Sequence, residues 1–205
     1  MSRVISYIDG FNLYFGLKAK GWRKFYWLDL AAMSRDLLKP GQTLEVCHYF
    51  TARIRDGNGG QDASRQTLWL DALEARHDIQ IHYGHYLAKP QRCTQCQATW
   101  MRHEEKMTDV NIASQLLVDA FKDRFDTALI ISGDSDLTPP IKMIREHFPE
   151  KRLIVAFPPK RHSDQLKAAA HGHLSIGASK LRNNLLPDEI TNEAGYVLKR
   201  PSRWY

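Results

Sequence analysis

Short, unbroken apolar runs alternate along this chain with stretches in which apolar residues recur every three or four positions. Val4 to Ile8, Ala128 to Ile131 and Arg152 to Phe157 read as buried strands. Leu44 to Ile54 has the same character through Val46, Tyr49, Phe50 and Ile54. Ile79 to Leu87 alternates, with Ile79, Ile81 and Tyr83 on one side and Gln80 and His82 on the other, and reads as one further strand. Between these runs helices are predicted from Leu13 onward, from Leu30 to Leu38, from Ala63 to Ala75, from Met107 to Phe121, from Thr138 through Glu146 and from Asp164 to His171. The helix from Met107 has the clearest stripe, Val110, Ala113, Leu117 and Phe121, with Thr108 as its expected cap. Thr138 is the expected cap of the helix whose first turn holds Pro139 and Pro140.

Strands alternating with helices imply βαβ units. The expected fold class is α/β, a three-layer α/β/α Rossmann-like arrangement with a mainly parallel central sheet. The pattern fits one domain over residues 1–182, with a small knuckle inserted at about 89–106. Residues 183–205 contain Pro187, Gly195 and Pro201 and read as a loop-like C-terminal tail.

Composition narrows this little. Of 205 residues, 43% are hydrophobic and 25% charged, which is ordinary for a globular protein. A net charge of +6 leaves room for a polyanionic partner. No run of about 18 apolar residues occurs, so no membrane span is expected. The chain enters its first strand without a signal-peptide pattern, and its cysteines number only three, so reduced thiols and a cytoplasmic location are expected.

The chemistry gathers where predicted strands end. Ala128 to Ile131 runs into Ser132-Gly133-Asp134-Ser135-Asp136, two carboxylates at the carboxyl end of a strand, where open α/β sheets place ligand sites. Like charges so close repel unless protons or a cation compensate. The first strand ends in Asp9-Gly10-Phe11-Asn12, placing Asp9 at an equivalent position and Asn12 about one helical turn on. Asn12 has a local reading as a cap or turn residue and a functional one in the same cleft. Asp109 opens the clearest helix; it either complements the helix dipole or is a third carboxylate of the cleft. Trp22 to Tyr26 is basic and aromatic, suited to stacking on bases or to packing on the core. The loop Asp56 to Gly60 lacks the spacing of a phosphate-binding loop. Cys93 and Cys96 form a C-x-x-C pair, half of many zinc sites. His103, His82 or His85 are the remaining candidate ligands within the chain; a partner chain is the other source, and an inert or redox-sensitive thiol pair is the alternative.

Tyr7-Ile8-Asp9-Gly10-Phe11-Asn12-Leu13-Tyr14, Lys106-Met107-Thr108-Asp109-Val110 and Leu129 to Leu137 together resemble the NYN domain family of the PIN-like nuclease superfamily. The resemblance runs from residue 3 to about residue 160. It implies a PIN-like fold, an acidic cluster binding Mg²⁺ or Mn²⁺, and cleavage of RNA. Carried over by position, the metal and catalytic residues are Asp9, Asp109, Asp134 and Asp136. Many members carry a further acid in the helix after Asp109, where this chain has Gln115.

Phosphodiester cleavage must stabilise charge at phosphorus and activate water, and carboxylates holding one or two hard cations do both. Asn12 and Ser132 are then expected to orient water or phosphate. Arg53, Arg55, Lys106, Lys160 and Arg161 are candidates for gripping the backbone of RNA, expected to be single-stranded. The expectation is thus a metal-dependent endoribonuclease, with structural zinc as a second metal and a homo-oligomer left open. The alternative is an RNA-binding or adaptor protein of weak or no catalytic activity, which Gln115 favours. A small-molecule phosphohydrolase is disfavoured because the first strand lacks D-x-D.

Overall fold

The computed structural model describes residues 1–53 and 60–205, apart from the side chains of residues 60, 86–89 and 102–105. In chain order the elements are β1 (Ser2–Asp9), α1 (Gly10–Ala19), α2 (Leu30–Asp36), β2 (Gln42–Thr51), α3 (Gly60–Glu74), β3 (Ile79–Tyr83), β4 (His85–Arg92) and β5 (Thr99–Lys106). They continue with α4 (Thr108–Phe121), β6 (Thr127–Ile131), α5 (Thr138–His147), β7 (Arg152–Phe157), α6 (Asp164–Ala169), β8 (Gly172–Ser175), α7 (Ala178–Asn183), β9 (Glu189–Thr191) and β10 (Val197–Lys199).

Six strands form the central sheet in the order β3-β2-β1-β6-β7-β8. All five neighbouring pairs are parallel. Parallel strands need both faces covered, which is why β1 and β6 are apolar almost throughout. One face carries Val4, Ile8, Leu129 and Ile131 against Leu13, Leu17, Leu30, Met33, Leu70 and Leu181 of α1, α2, α3 and α7. The other carries Ile5, Tyr7, Ala128 and Ile130 against Ile112, Leu116, Ile141, Ile144 and Leu166 of α4, α5 and α6. The three-layer Rossmann-like architecture expected from the alternation is the one observed. Chain progression reverses direction between β1 and β6, the switch point where open α/β sheets bind ligands.

Several local expectations need correction. The strand expected over Ile79 to Leu87 breaks at Gly84, whose N–H bonds the Thr51 carbonyl at 2.7 Å. Beyond it β4 leaves the sheet and pairs antiparallel with β5, from His85↔Lys106 to Arg92↔Thr99. The expected knuckle is therefore the end of a two-stranded ribbon. Thr108 does not cap α4; left-handed Met107 (φ 80°) precedes the helix and Thr108 is its first residue. Leu137, not Thr138, stands at the cap position of α5. Strand β8 follows α6 where a longer helix was expected. The tail is not loose. It forms the β9–β10 hairpin, buries Leu186, Leu198 and Trp204, and its Pro187 carbonyl accepts the Trp27 indole N–H at 2.7 Å. Trp22 and Tyr26 pack against this core, and Phe25 and Trp27 lie within it, so that stretch serves packing. Ile54 lies outside the described residues.

Candidate active site at the ends of β1 and β6

The register pairs Ile8 with Ile131, so Asp9 and Ser132 leave the sheet side by side. Asp9 caps α1: its Oδ1 accepts the Asn12 N–H at 2.9 Å. Its Oδ2 accepts the Asn12 side-chain amide at 2.7 Å and the Ser132 hydroxyl at 2.8 Å. Asn12 Oδ1 in turn accepts the Gly133 N–H at 3.2 Å, and Ser132 Oγ accepts the Asp134 N–H at 3.0 Å. Local cap and cleft residue are thus one and the same role for Asn12: it stitches the end of β1 to the end of β6.

Asp9 is 2% exposed, and its donors are all neutral. No ion pair among the described residues includes it. Burial raises its pKa above the usual carboxylate value; the hydrogen bonds from Asn12 and Ser132 counter this, and the nearby charge of Asp134 adds to it. Asp134 is half-buried and caps the short turn Ser135–Leu137, its Oδ1 accepting the Asp136 N–H at 3.0 Å. Asp136 is exposed, and half-buried Asp109 lies in the first turn of α4. Among the described residues no three Asp, Glu, His or Cys side chains converge closely enough to enclose a metal ion. Asp9, Asp109, Asp134 and Asp136 do not form such a group among the described residues.

The basic candidates divide. The loop after β7 lies on the acidic stretch: a Cβ on Gly133 would meet Arg161 Cβ at 2.9 Å, and one on Gly16 would meet the Pro159 carbonyl at 2.5 Å. Arg161 stands over the Phe15 ring, and its Nε is buried with no hydrogen-bond partner. Lys160 is exposed in the same turn, at φ 59°. Arg53 leaves the end of β2 but is engaged, 3.0 Å from the Tyr83 hydroxyl and 3.8 Å from Glu74. Lys106 is exposed at the end of β5. Arg55 lies outside the described residues. Beside α1 a pocket is lined by Phe11, Tyr14, Phe15, Tyr26, Trp69 and Arg65, among others.

A second polar cluster went unread in the sequence. Asp119 of α4, fully buried, accepts the Tyr7 hydroxyl at 2.9 Å, the Gln115 amide at 3.0 Å and Arg124 at 3.1 Å, with His48 Nε2 at 3.4 Å. Beyond it, His48 Nδ1 lies 2.9 Å from His82 Nε2. Burial pushes Asp119 up, but hydrogen bonds from His48, Gln115 and Tyr7 outweigh it and hold the pKa at about 2. Burial, then His48, push His82 below its ordinary value. His82 and Gln115 line a cleft of about 440 Å³ between β3 and α4. The available signal was polar residues inside apolar strands: Tyr7 in β1 and His48 in β2.

With this geometry in view, the comparisons are specific. The sequence profile of the NYN domain matches residues 3–177. The chain belongs to the NYN domain family. Its sheet order and helical layers are those of the PIN-like, Rossmann-like fold. This NYN domain is 28% identical to "6-hydroxy-3-succinoylpyridine 3-monooxygenase HspA" of Pseudomonas putida, over 99% of this chain and 75% of that protein. It superposes on the crystal structure of VPA0982 of Vibrio parahaemolyticus, a protein of unknown function, with a TM-score of 0.55 and 15% identity. That likeness covers 90% of this chain and 96% of the other, and it bears on fold alone. No helix among the described residues of this NYN domain is long and apolar enough to cross a membrane.

Proposed function

We propose that this NYN domain is a metal-dependent ribonuclease whose acidic centre is Asp9 with Asp134. The observation that carries this reading is Asp9 itself: a buried carboxylate at the switch point, beside a second carboxylate, with no cationic partner. Hard oxygen donors of this kind fit Mg²⁺ or Mn²⁺. Mg²⁺ in particular is commonly held by one or two carboxylates, with waters and substrate phosphate completing its shell.

A bound cation would supply charge neutralisation at phosphorus and a more acidic water. The protein's own contribution is positional. Ser132 and Asn12 hold Asp9 in one orientation. Asp134, half-buried, is the candidate acceptor of a proton from attacking water. In this reading Asp109 and Asp136 are the outer carboxylates of the site. In this reading Lys160 and Arg161 meet the phosphate backbone, and the aromatic pocket beside α1 stacks a base.

The test is cleavage of single-stranded RNA with Mn²⁺ or Mg²⁺, run beside Asp134→Asn. Expected are cation-dependent turnover in the wild type and its loss in the variant, at unchanged melting temperature. RNA binding without turnover under any divalent ion would replace this reading with the adaptor one.

A second reading rests on the same aromatic pocket. Ringed by Phe11, Tyr14, Phe15, Tyr26 and Trp69, with Arg65 paired to Asp62 at its lining, it suits the planar ring of a pyridine of the kind named for the Pseudomonas relative. Saturable tryptophan quenching by a pyridine carboxylate, competing with no RNA, would favour it.

A further inference from the structure

The C-x-x-C pair belongs to neither reading, and its setting is more particular than its spacing. It sits at the turn of the β4–β5 ribbon, beyond the last pair Arg92↔Thr99. The Cys93 N–H bonds the Ala98 carbonyl at 2.8 Å, and the Gln97 N–H bonds the Cys93 carbonyl at 3.1 Å. Gln97, directly after Cys96, adopts a left-handed backbone, φ 60°. The chain thereby closes a tight turn that carries both cysteines. Gln97 is not glycine, so the left-handed turn is adopted despite its Cβ.

Two thiolates do not complete a tetrahedral zinc site, which takes four N or S ligands. Among the described residues no third His, Cys, Asp or Glu joins them. Cys47 is fully buried in β2, 3.9 Å from the Ser34 hydroxyl. His103 pairs with Ala88, five residues down the ribbon from Cys93. At about 3.3 Å per residue that is roughly 16 Å, too far for one ion to hold both. His85 pairs with Lys106 and is farther still, and His82 belongs to the Asp119 cluster. The register thus sets His103 five positions along the ribbon from Cys93.

We infer that Cys93 and Cys96 are half of a zinc site completed by the same two residues of a second copy of the chain, four thiolates around one ion. A projecting ribbon tip meets its own copy without the bodies colliding, and the two-fold contact is self-complementary. Next to the tip, Trp100 is 49% exposed and Met101 55% exposed, apolar surface that a second ribbon would cover. Arg92, exposed beside the pair, offsets part of the double negative charge of a four-thiolate zinc centre.

The experiment measures metal content and mass together. Protein purified under a phosphine reductant is analysed for zinc and sized by light scattering, before and after treatment with a zinc chelator. Expected are one zinc per two chains, a dimer, and conversion to monomer on chelation. Cobalt(II) replacing zinc gives the visible spectrum of a tetrahedral four-thiolate site. Cys96→Ser and, separately, Cys93→Ser give zinc-free monomers with unchanged circular dichroism. One zinc per chain, no zinc, or a dimer that survives chelation would each overturn the inference. None of these readouts depends on nuclease activity.

Discussion

Two buried carboxylates on the same side of the same sheet behave in opposite ways. Asp9 ends β1, and Asp119 bonds Tyr7 only two residues earlier on that strand. Asp119 is surrounded by donors, including Arg124 and His48, and its pKa is held at about 2. Asp9 has neutral donors and a carboxylate neighbour, and its pKa is raised. Depth is alike; partners differ. A carboxylate whose charge is satisfied inside the fold belongs to the architecture. One whose charge is left without a counter-ion, at a strand end that opens outward, awaits a partner from outside.

Removing Asp119 tests the first half of that contrast with the largest effect. Asp119→Ala leaves the Tyr7 hydroxyl, the Gln115 amide and His48 without their acceptor, and should cost about 3–5 kcal/mol in urea unfolding. A loss below about 1 kcal/mol would show that the cluster does not hold the fold. Cation binding tests the second half. Mn²⁺ at a hundredfold excess over its Kd should stabilise the wild type by about 2.7 kcal/mol. Asp134→Asn should abolish that gain, while Asp119→Asn keeps it from a lower starting stability. An equal response in wild type and Asp134→Asn would remove Asp134 from the site.

The pH dependence separates the two carboxylates by sign. Asp119 has a depressed folded pKa. Its stabilisation of about 2 kcal/mol is present above the unfolded value near ~3.9 and is lost as pH falls through about 2. For Asp9 the folded pKa is raised, so its contribution is present below ~3.9 and is lost as pH rises through the folded value. Unfolding followed against pH should show a steep acid arm that Asp119→Asn flattens and Mn²⁺ does not. Gln115→Glu has the smallest expected effect, about 1–2 kcal/mol, because it removes a half-buried donor and sets a like charge one turn from Asp119. If Gln115→Glu instead creates a tighter cation site without loss of stability, the missing helix acid belonged to the metal centre after all.

That last comparison shows why part of the site was legible and part was not. Asp9, Asn12, Ser132 and Asp134 were readable because each follows an apolar run ending at a turn, a pattern local to a few residues. Gln115 was readable only as an absent acid. Its donation to Asp119 depends on α4 turning both residues inward, toward β1 and β2. The Tyr7–Asp119–His48 cluster joins three elements far apart in sequence, and its one local trace is a polar residue inside each of two apolar strands. The ribbon escaped for a different reason: β3 and β4 alternate without interruption, so only the Gly84 bond to Thr51 reveals that the chain leaves the sheet there.

By itself, the sequence determined the α/β class, the parallel sheet and the strand ends that carry Asp9 and Asp134. Periodicity and turn chemistry are short-range, and burial on both faces leaves parallel strands few alternatives. The tertiary structure alone decided which carboxylates keep company. Strand order set β1 beside β6 and so Asp9 beside Ser132, while helix packing put Asp119 among its donors. Solvation and charge pairing depend on neighbours in space, and a carboxylate acquires its role only when the fold has chosen them.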